Sequence, residues 1–516
     1  MGPTADSSKN WGDACRSFFN RRVIALLFLG FSAGLPILLI FSSLSLWLRD
    51  AGVSLKEVTF FSWAALGYSF KFIWAPLVDR IPLPLLHRRL GRRRSWLLLS
   101  QLMVIASICF LASNNPADGL LLVAVGAVAL CLSSATQDIV IDAYRIEAAD
   151  SDLQAMMSSA YIAGYRVGML LAGAGTLALS SWLTTTEPYD YQAWAWAYRC
   201  MAVFMLVGVI TTLLISEPVN TQERSIYHHD THDYLRFLAL FGCAAAAFIL
   251  VFSTIESPLQ GVNQWFTDLG MLNSLAGFLT ESCRLLLSIA AAALVARVLL
   301  KLHVAPRDMV QETYIAPFAD FFQRYGKAAI YLLLLVGTYR IADIMMGTIA
   351  NVFYNDMGYS KEQIATITKT FGLFMTIAGG FMGGVLALRY GVMRMLWVGA
   401  CLAAASNVLF AVLANLEPSS IYLSLVIAAD NLSGGLASAA FIAFLSSLTN
   451  RAFTAMQYAI FSSLMTLLPK LLAGYSGTFV DAIDYPLFFI GSALLGLPII
   501  WLVTYVGRLL QQRESN

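Results

Sequence analysis

The chain has 516 residues, of which 58% are hydrophobic and only 12% charged, and its net charge is +2. A soluble domain carries about 25% charged residues, so this chain has roughly half the charge that a water-facing surface needs. That excludes a soluble globular protein, and so balanced a charge gives no ground for binding nucleic acid.

Apolar runs of about 20 or more residues recur from end to end, each long enough as a helix to cross about 30 Å of hydrocarbon. They predict an all-α polytopic membrane protein embedded in a lipid bilayer. The first span is expected at 22–48, directly after Arg21-Arg22. It is too long for the apolar core of a secretory signal and has no A-x-A cleavage site. Spans follow at 57–78, 94–113, 119–147, 153–182 and 194–216, then a pair at 235–255 and 273–301. Six more are expected at 328–354, 362–388, 392–414, 419–448, 453–481 and 485–508, which makes fourteen in a pattern of six, two and six. The chain then divides into a tail (1–21), a first six-helix half (22–216), a connector with an extra hairpin (217–327), a second half (328–508) and a short tail (509–516).

Arg21, Arg22, the loop HRRLGRRR at 87–94, Arg224, the segment 301–327, Arg389, Arg394, Arg451, Arg508 and Arg513 fall on one side of these spans. The opposite loops hold chiefly Arg49, Lys56 and Lys361. Basic loops stay in the cytoplasm, so both termini are expected there. The seven cysteines (15, 109, 131, 200, 243, 283 and 401) form no C-x-x-C pair and read as small buried hydrophobes. In the connector, His228, His229 and His232 have no cysteine or carboxylate set beside them, so a solvated loop is expected and no metal. Residues 305–327 read as an amphipathic segment at the membrane surface.

The halves share sequence. Asp50-x-Gly52-x-Ser54 after the first span returns as Asp356-x-Gly358-x-Ser360 after the ninth, 306 residues later. The stretch 154–173 matches 454–474 in its Ala-Met start and its Leu-Leu-Ala-Gly end. Two matches at nearly one offset point to duplication of a six-helix unit. Two such units in parallel are similar to the plan of the major facilitator transporters, whose substrate site lies between the halves.

Asp79-Arg80 followed by Gly91-Arg92-Arg93-Arg94, and Arg389-x-Gly391 followed by Arg394, resemble the signature those transporters carry on the cytoplasmic side. Asp79, Arg80, Gly91, Arg92, Arg389, Gly391 and Arg394 are therefore the expected cytoplasmic gate, a charge latch between the halves. The alternative reading of these arginines is plain positive-inside charge.

The fourth span ends in SATQDIVIDAYRIE (134–147). At about 100° per residue, Asp142 and Arg145 lie about 40° and 20° to either side of Asp138, while Glu147 points away, toward water. A charge at the centre of a span costs about 2.5–3.5 kcal/mol, so groups kept there pair or face an aqueous cavity. Arg145 can neutralise one carboxylate and leave the other free to take up a proton; a static ion-pair net is the plainer alternative. Lys71, Arg166, Arg340, Asp343, Lys369 and the Asp430-Asn431 pair add charged or polar groups to other spans. Together they favour an anionic or zwitterionic solute, and Tyr68, Tyr161, Tyr165 and Trp63 could stack on sugar rings or simply pack helices.

The fourth-span segment, with SFKFIWAPLVDR (69–80), GRRRSWLL (91–98), GYRVGML (164–170), NDMGYS (355–360) and DNLSGG (430–435), resembles the anhydromuropeptide permease (AmpG) family of the major facilitators over roughly 20–490. The resemblance implies proton-coupled import of N-acetylglucosaminyl-anhydromuramyl peptides across the bacterial inner membrane. It would serve peptidoglycan recycling and, indirectly, β-lactamase induction. It also implies a monomer without cofactor, driven by the proton gradient. By match to the family motif, Gly34, Ala135, Gln137, Asp138 and Asp142 carry over as functional positions. Asp343 and Asp430 join them as candidates for proton coupling, and Lys71, Arg145, Tyr161, Tyr165, Arg166, Arg340, Lys369 and Asn431 for substrate binding. Two other readings are a major facilitator for another large anion, such as an acyl-coenzyme A, and a membrane enzyme. The D-x-x-x-D spacing is similar to that of intramembrane prenyltransferases, but no second Asp-rich motif completes a metal–diphosphate site.

Overall fold

The computed structural model describes residue 16 and residues 19–54, 57–58, 68, 70–149, 151–185, 189–218, 230–271, 273–473 and 476–515. The described residues are almost entirely helical. Helix α1 (Arg21–Ile40) begins where the Asn20 side chain accepts from the Arg22 N–H at 2.9 Å, and the chain continues as a helix over Ser42–Asp50. Helices α2 (Arg92–Ala112), α3 (Leu120–Ala148), α4 (Ser151–Leu170) and α5 (Tyr191–Phe204) follow. A π-helical turn at Leu171–Gly175 carries α4 on into Thr176–Leu183. The hairpin is α6 (Thr231–Thr254) and α7 (Asn273–Lys301), with a helix over Glu256–Asp268 between them. The second half has α8 (Ala328–Thr338), α9 (Ile341–Asp356), α10 (Gly372–Tyr390), α11 (Val392–Leu413), α12 (Ser420–Leu448), α13 (Thr454–Ala473) and α14 (Ser476–Ser515). Helix α14 is interrupted at Asp484, where φ is 63°.

Two compact units result. One holds residues 1–222 and 325–516; the other, residues 223–324, holds the hairpin and most of the helical segment after it. Within the second, Arg284 of α7 is buried against the Phe252 ring and paired with Glu256 at 2.8 Å.

Twelve stretches among the described residues are long and apolar enough to cross a membrane, including both hairpin helices. The expected fourteen are not reached, for two reasons. Ten of the 22 residues of the span at 57–78 lie outside the described residues, as do His228, His229 and Trp63. The span at 453–481 forms α13, a less apolar helix carrying buried Gln457, Ser462 and Ser463. Protein surrounds much of α13, and a helix sheltered by protein needs no apolar coat. The cysteines also differ from expectation. All six described ones are free, but only Cys131 is buried; Cys109, Cys243 and Cys283 are exposed on the helix surfaces.

The repeat is visible in hydrogen bonds. Gly52 and Gly358 turn the chain with φ of +82° and +86°. Ser54 and Glu57 cap each other reciprocally at 3.2 and 3.3 Å, and Ser360 and Gln363 do the same at 2.9 and 3.1 Å. The carboxylate before each glycine accepts from an aromatic residue late in its own half: Asp50 from Trp194, Asp356 from Tyr485. Glycines bring helices into backbone contact in both halves. A side chain at Gly34 would run into the Tyr165 carbonyl of α4, and one at Gly379 into the Leu432 carbonyl of α12.

Candidate transport site

The last third of α3 can carry charge because protein meets it on nearly every side; from Ser133 to Ala148 only Thr136 is not buried. Asp142 is the shared counter-ion there. Lys71 Nζ lies 3.7 Å from Oδ2 and Arg145 Nη2 lies 3.3 Å from Oδ1. Arg145 reaches further: Nη1 donates to Ser158 Oγ on α4 at 3.1 Å and to Ser446 Oγ on α12 at 2.7 Å. Its guanidinium also sits 5.1 Å from the centre of the Tyr458 ring on α13. One side chain of the first half thus engages two helices of the second. Asp138, about one turn earlier, is buried, and its Oδ1 has no hydrogen-bond partner among the described residues. The three groups share a face, with Asp142 taking both cations and Asp138 left over.

At the end of α3 the halves are fastened together. Arg93 Nη2 lies 2.7 Å from Asp79 Oδ1 and 2.6 Å from Glu147 Oε1, while Arg92 Nη1 donates to the Asp79 carbonyl at 3.0 Å. The second half enters through the start of α13. Its Ala455 and Met456 N–H groups donate to the Asp79 carboxylate at 3.2 and 3.0 Å, and Thr454 Oγ1 donates to Glu147 at 2.7 Å. A carboxylate at a helix N-terminus satisfies open amides and meets the positive end of the helix dipole. Arg451 Nη2 adds a bond to the Ala149 carbonyl at 3.0 Å.

Two expectations change here. Glu147 does not reach water; it is buried between Arg92, Arg93 and Thr454. Helical phase placed it opposite Asp138 but was blind to α2 and α13 lying on that side. The cross-half latch runs from Asp79 to the start of α13, with Arg93 as its central cation. Gly91 and Gly391, both with φ of +87°, let the chain turn into α2 and α11. Arg80 is half-buried and Arg394 exposed, and the Arg389 guanidinium lies 5.5 Å from the Tyr390 ring.

A second polar cluster lines a cavity of about 960 Å³, measured out to its open mouth. Arg166 comes from α4 of the first half, and Arg340, Asp343, Lys369, Asp430 and Asn431 from the second. Local breaks aim several of these side chains. Arg340 stands at the break between α8 and α9, and Lys369 on a π-helical segment, Ile364–Phe371, that leads into α10. Arg340 Nε lies 3.8 Å from Asp343 Oδ2. Ser406 donates to Asp430 at 3.1 Å, and Thr376 donates to Asn431 at 2.7 Å.

The remaining candidates sit in packing contacts. Gly34 is in the α1–α4 contact; Ala135 is fully buried; Gln137 donates to Ser32 Oγ at 3.0 Å. The Tyr161 and Tyr165 rings are 5.9 Å apart. Arg93, Thr454, Ser446 and Tyr458 were not singled out as candidates, yet the sequence held a signal for some of them. Arg145 and Ser446 are 301 residues apart, and Ala149 and Arg451 302 apart, close to the offset of the internal repeat. Equivalent ends of the two halves face each other.

Several known proteins are similar to this chain. The sequence model of the family described as "Acetyl-coenzyme A transporter 1" matches residues 22–227. The anhydromuropeptide permease of Escherichia coli is 27% identical over 97% of this chain and 83% of its own length. A Rickettsia felis protein named as an AmpG 4 transporter is 27% identical over 95% of this chain and 98% of its own. Among solved structures, the E. coli fucose:proton symporter FucP aligns over 95% of this chain and 99% of its own, at a TM-score of 0.60 and 10% identity. The chain has the fold of the major facilitator transporters, and its sequence is similar to anhydromuropeptide permeases over nearly its whole length. It is a multi-pass membrane protein and not an enzyme.

Proposed function

We propose that this transporter imports anhydromuropeptides, N-acetylglucosaminyl-anhydromuramyl peptides from the cell wall, into the cytoplasm by proton symport. It would work by alternating access as a monomer in the bacterial inner membrane, both termini cytoplasmic, feeding peptidoglycan recycling and, through it, β-lactamase induction. The observation that carries this reading is the likeness to the E. coli permease over 97% of the chain, through the charged end of α3 and both halves. The geometry supports transport of a large anion. Charged groups of both halves converge, one oxygen of the buried Asp138 carboxylate has no hydrogen-bond partner among the described residues, and the fastened end with Asp79, Arg93 and Glu147 would be the closed cytoplasmic gate.

A second reading takes an acyl-coenzyme A as the cargo, and the family match over 22–227 favours it. Uptake of a labelled anhydromuropeptide into proteoliposomes, with unlabelled anhydromuropeptide and acetyl-coenzyme A as competitors, separates the two. Competition by the muropeptide alone is expected. No uptake of the label, or competition by acetyl-coenzyme A, overturns the proposal.

A further inference from the structure

We infer that Arg166 and Arg340 form a clamp, one arm from each half, that holds a carboxylate or phosphate of the cargo in the cavity and draws the halves together around it. Both side chains line the same cavity, Arg166 from α4 and Arg340 from the break before α9, and their charges lie near enough to repel each other. Arg166 has no carboxylate partner among the described residues. Arg340 has one, Asp343, in a loose pair at 3.8 Å with both side chains about a quarter exposed, 28% and 26%. Among the described residues, Arg166, Arg340 and Lys369 line the cavity together with Asp343 and Asp430.

An unmatched cation in a membrane transporter stays only where water or a ligand can reach it. Two guanidiniums that line one cavity, one from each half, repel while it is empty. A planar anion removes that repulsion and accepts from both forks at once, as guanidinium geometry favours. Binding energy then acts directly on the distance between the halves, the coordinate that alternating access must change. Asp343 is the counter-ion the cargo displaces from Arg340, so a group that binds this clamp must carry full negative charge.

The clamp rests on the import reading only for the identity of the cargo. The test measures proteoliposome uptake of labelled anhydromuropeptide and of the same molecule with its carboxyls converted to carboxamides. The wild type is expected to prefer the free acid about tenfold, and R166Q and R340Q to lose that preference. A preference that survives in both variants, or none in the wild type, overturns the clamp while leaving muropeptide import standing. If the wild type takes up neither form, the import reading falls and thermal unfolding in citrate decides. Citrate should raise the wild-type Tm more than sodium chloride of equal ionic strength does, and both variants should lose that increment; equal increments in all three overturn the clamp. Where a glutamine variant fails to fold, R166K or R340K replaces it. The lysine keeps the charge and loses the fork, so the preference is expected to fall part-way, and an unchanged one counts against the clamp.

Discussion

Asp138 and Asp142 lie four residues apart on one helix face and have opposite situations. Asp142 holds Lys71 and Arg145, both buried, whereas an oxygen of Asp138 has no hydrogen-bond partner among the described residues. Removing one member of a buried ion pair strands the other and costs about 3–5 kcal/mol. Asp142→Asn should therefore lower the Tm of the purified protein markedly, because two cations lose their shared counter-ion. Asp138→Asn should leave the Tm within the range of a minor surface change. Equal losses in thermal unfolding would contradict this division of roles. The sequence already put the three groups on one face and allowed one carboxylate to be left over, with a static ion-pair net as the alternative. It did not show which carboxylate, because Lys71 arrives from a helical turn 71 residues before Asp142, and no periodicity reports that approach.

At the scale of elements, the proposed gate rests on one carboxylate placed at the start of one helix. Asp79→Asn keeps the shape but removes the charge that faces the α13 amides and Arg93, worth about 1–3 kcal/mol for a charge-assisted contact. The variant should open this end more often, and a membrane-impermeant thiol reagent should label S446C faster in that background. An unchanged labelling rate would show that the latch does not depend on the charge. At the other end of the bundle, Asp190 caps α5. The N–H of Thr185, followed by those of Ala193 and Gln192, holds its carboxyl at about 2, below the usual range. A folded-state value below the unfolded one means stability that is present above about pH 4 and lost as pH falls toward 2. Asp190→Ala should cost about 0.5–2 kcal/mol near neutral pH, whereas Asp190→Asn should keep most of the cap and lose its acid sensitivity; both are read from Tm against pH. The motif that suggested a gate already contained Asp79 and Arg92. Its partner was not legible there, since the start of α13 is 376 residues away and only the repeat offset hints that the two halves meet.

At the scale of the whole molecule, the two halves keep separate polar clusters. The Asp138–Asp142 cluster is built mainly from the first half, and the cavity of Arg340, Asp343 and Asp430 mainly from the second. Side chains of α3 and α4 reach into contact with the other half at both. Helix content and two-fold organisation were readable from apolar run lengths and from the Asp-x-Gly-x-Ser repeat. Two of the fourteen expected spans are not among the twelve apolar stretches of the described residues; one of them, α13, carries polar residues that a run-length reading smooths over. If the two clusters do separate work, with the α3 carboxylate carrying the proton and the cavity holding the cargo, a variant can uncouple them. The measurement that tests this most directly compares two uptake modes of Asp138→Asn in proteoliposomes loaded with anhydromuropeptide. Exchange of labelled for unlabelled muropeptide without a gradient should persist, while accumulation driven by an imposed proton gradient should be lost. Accumulation at the wild-type level would contradict proton coupling through Asp138.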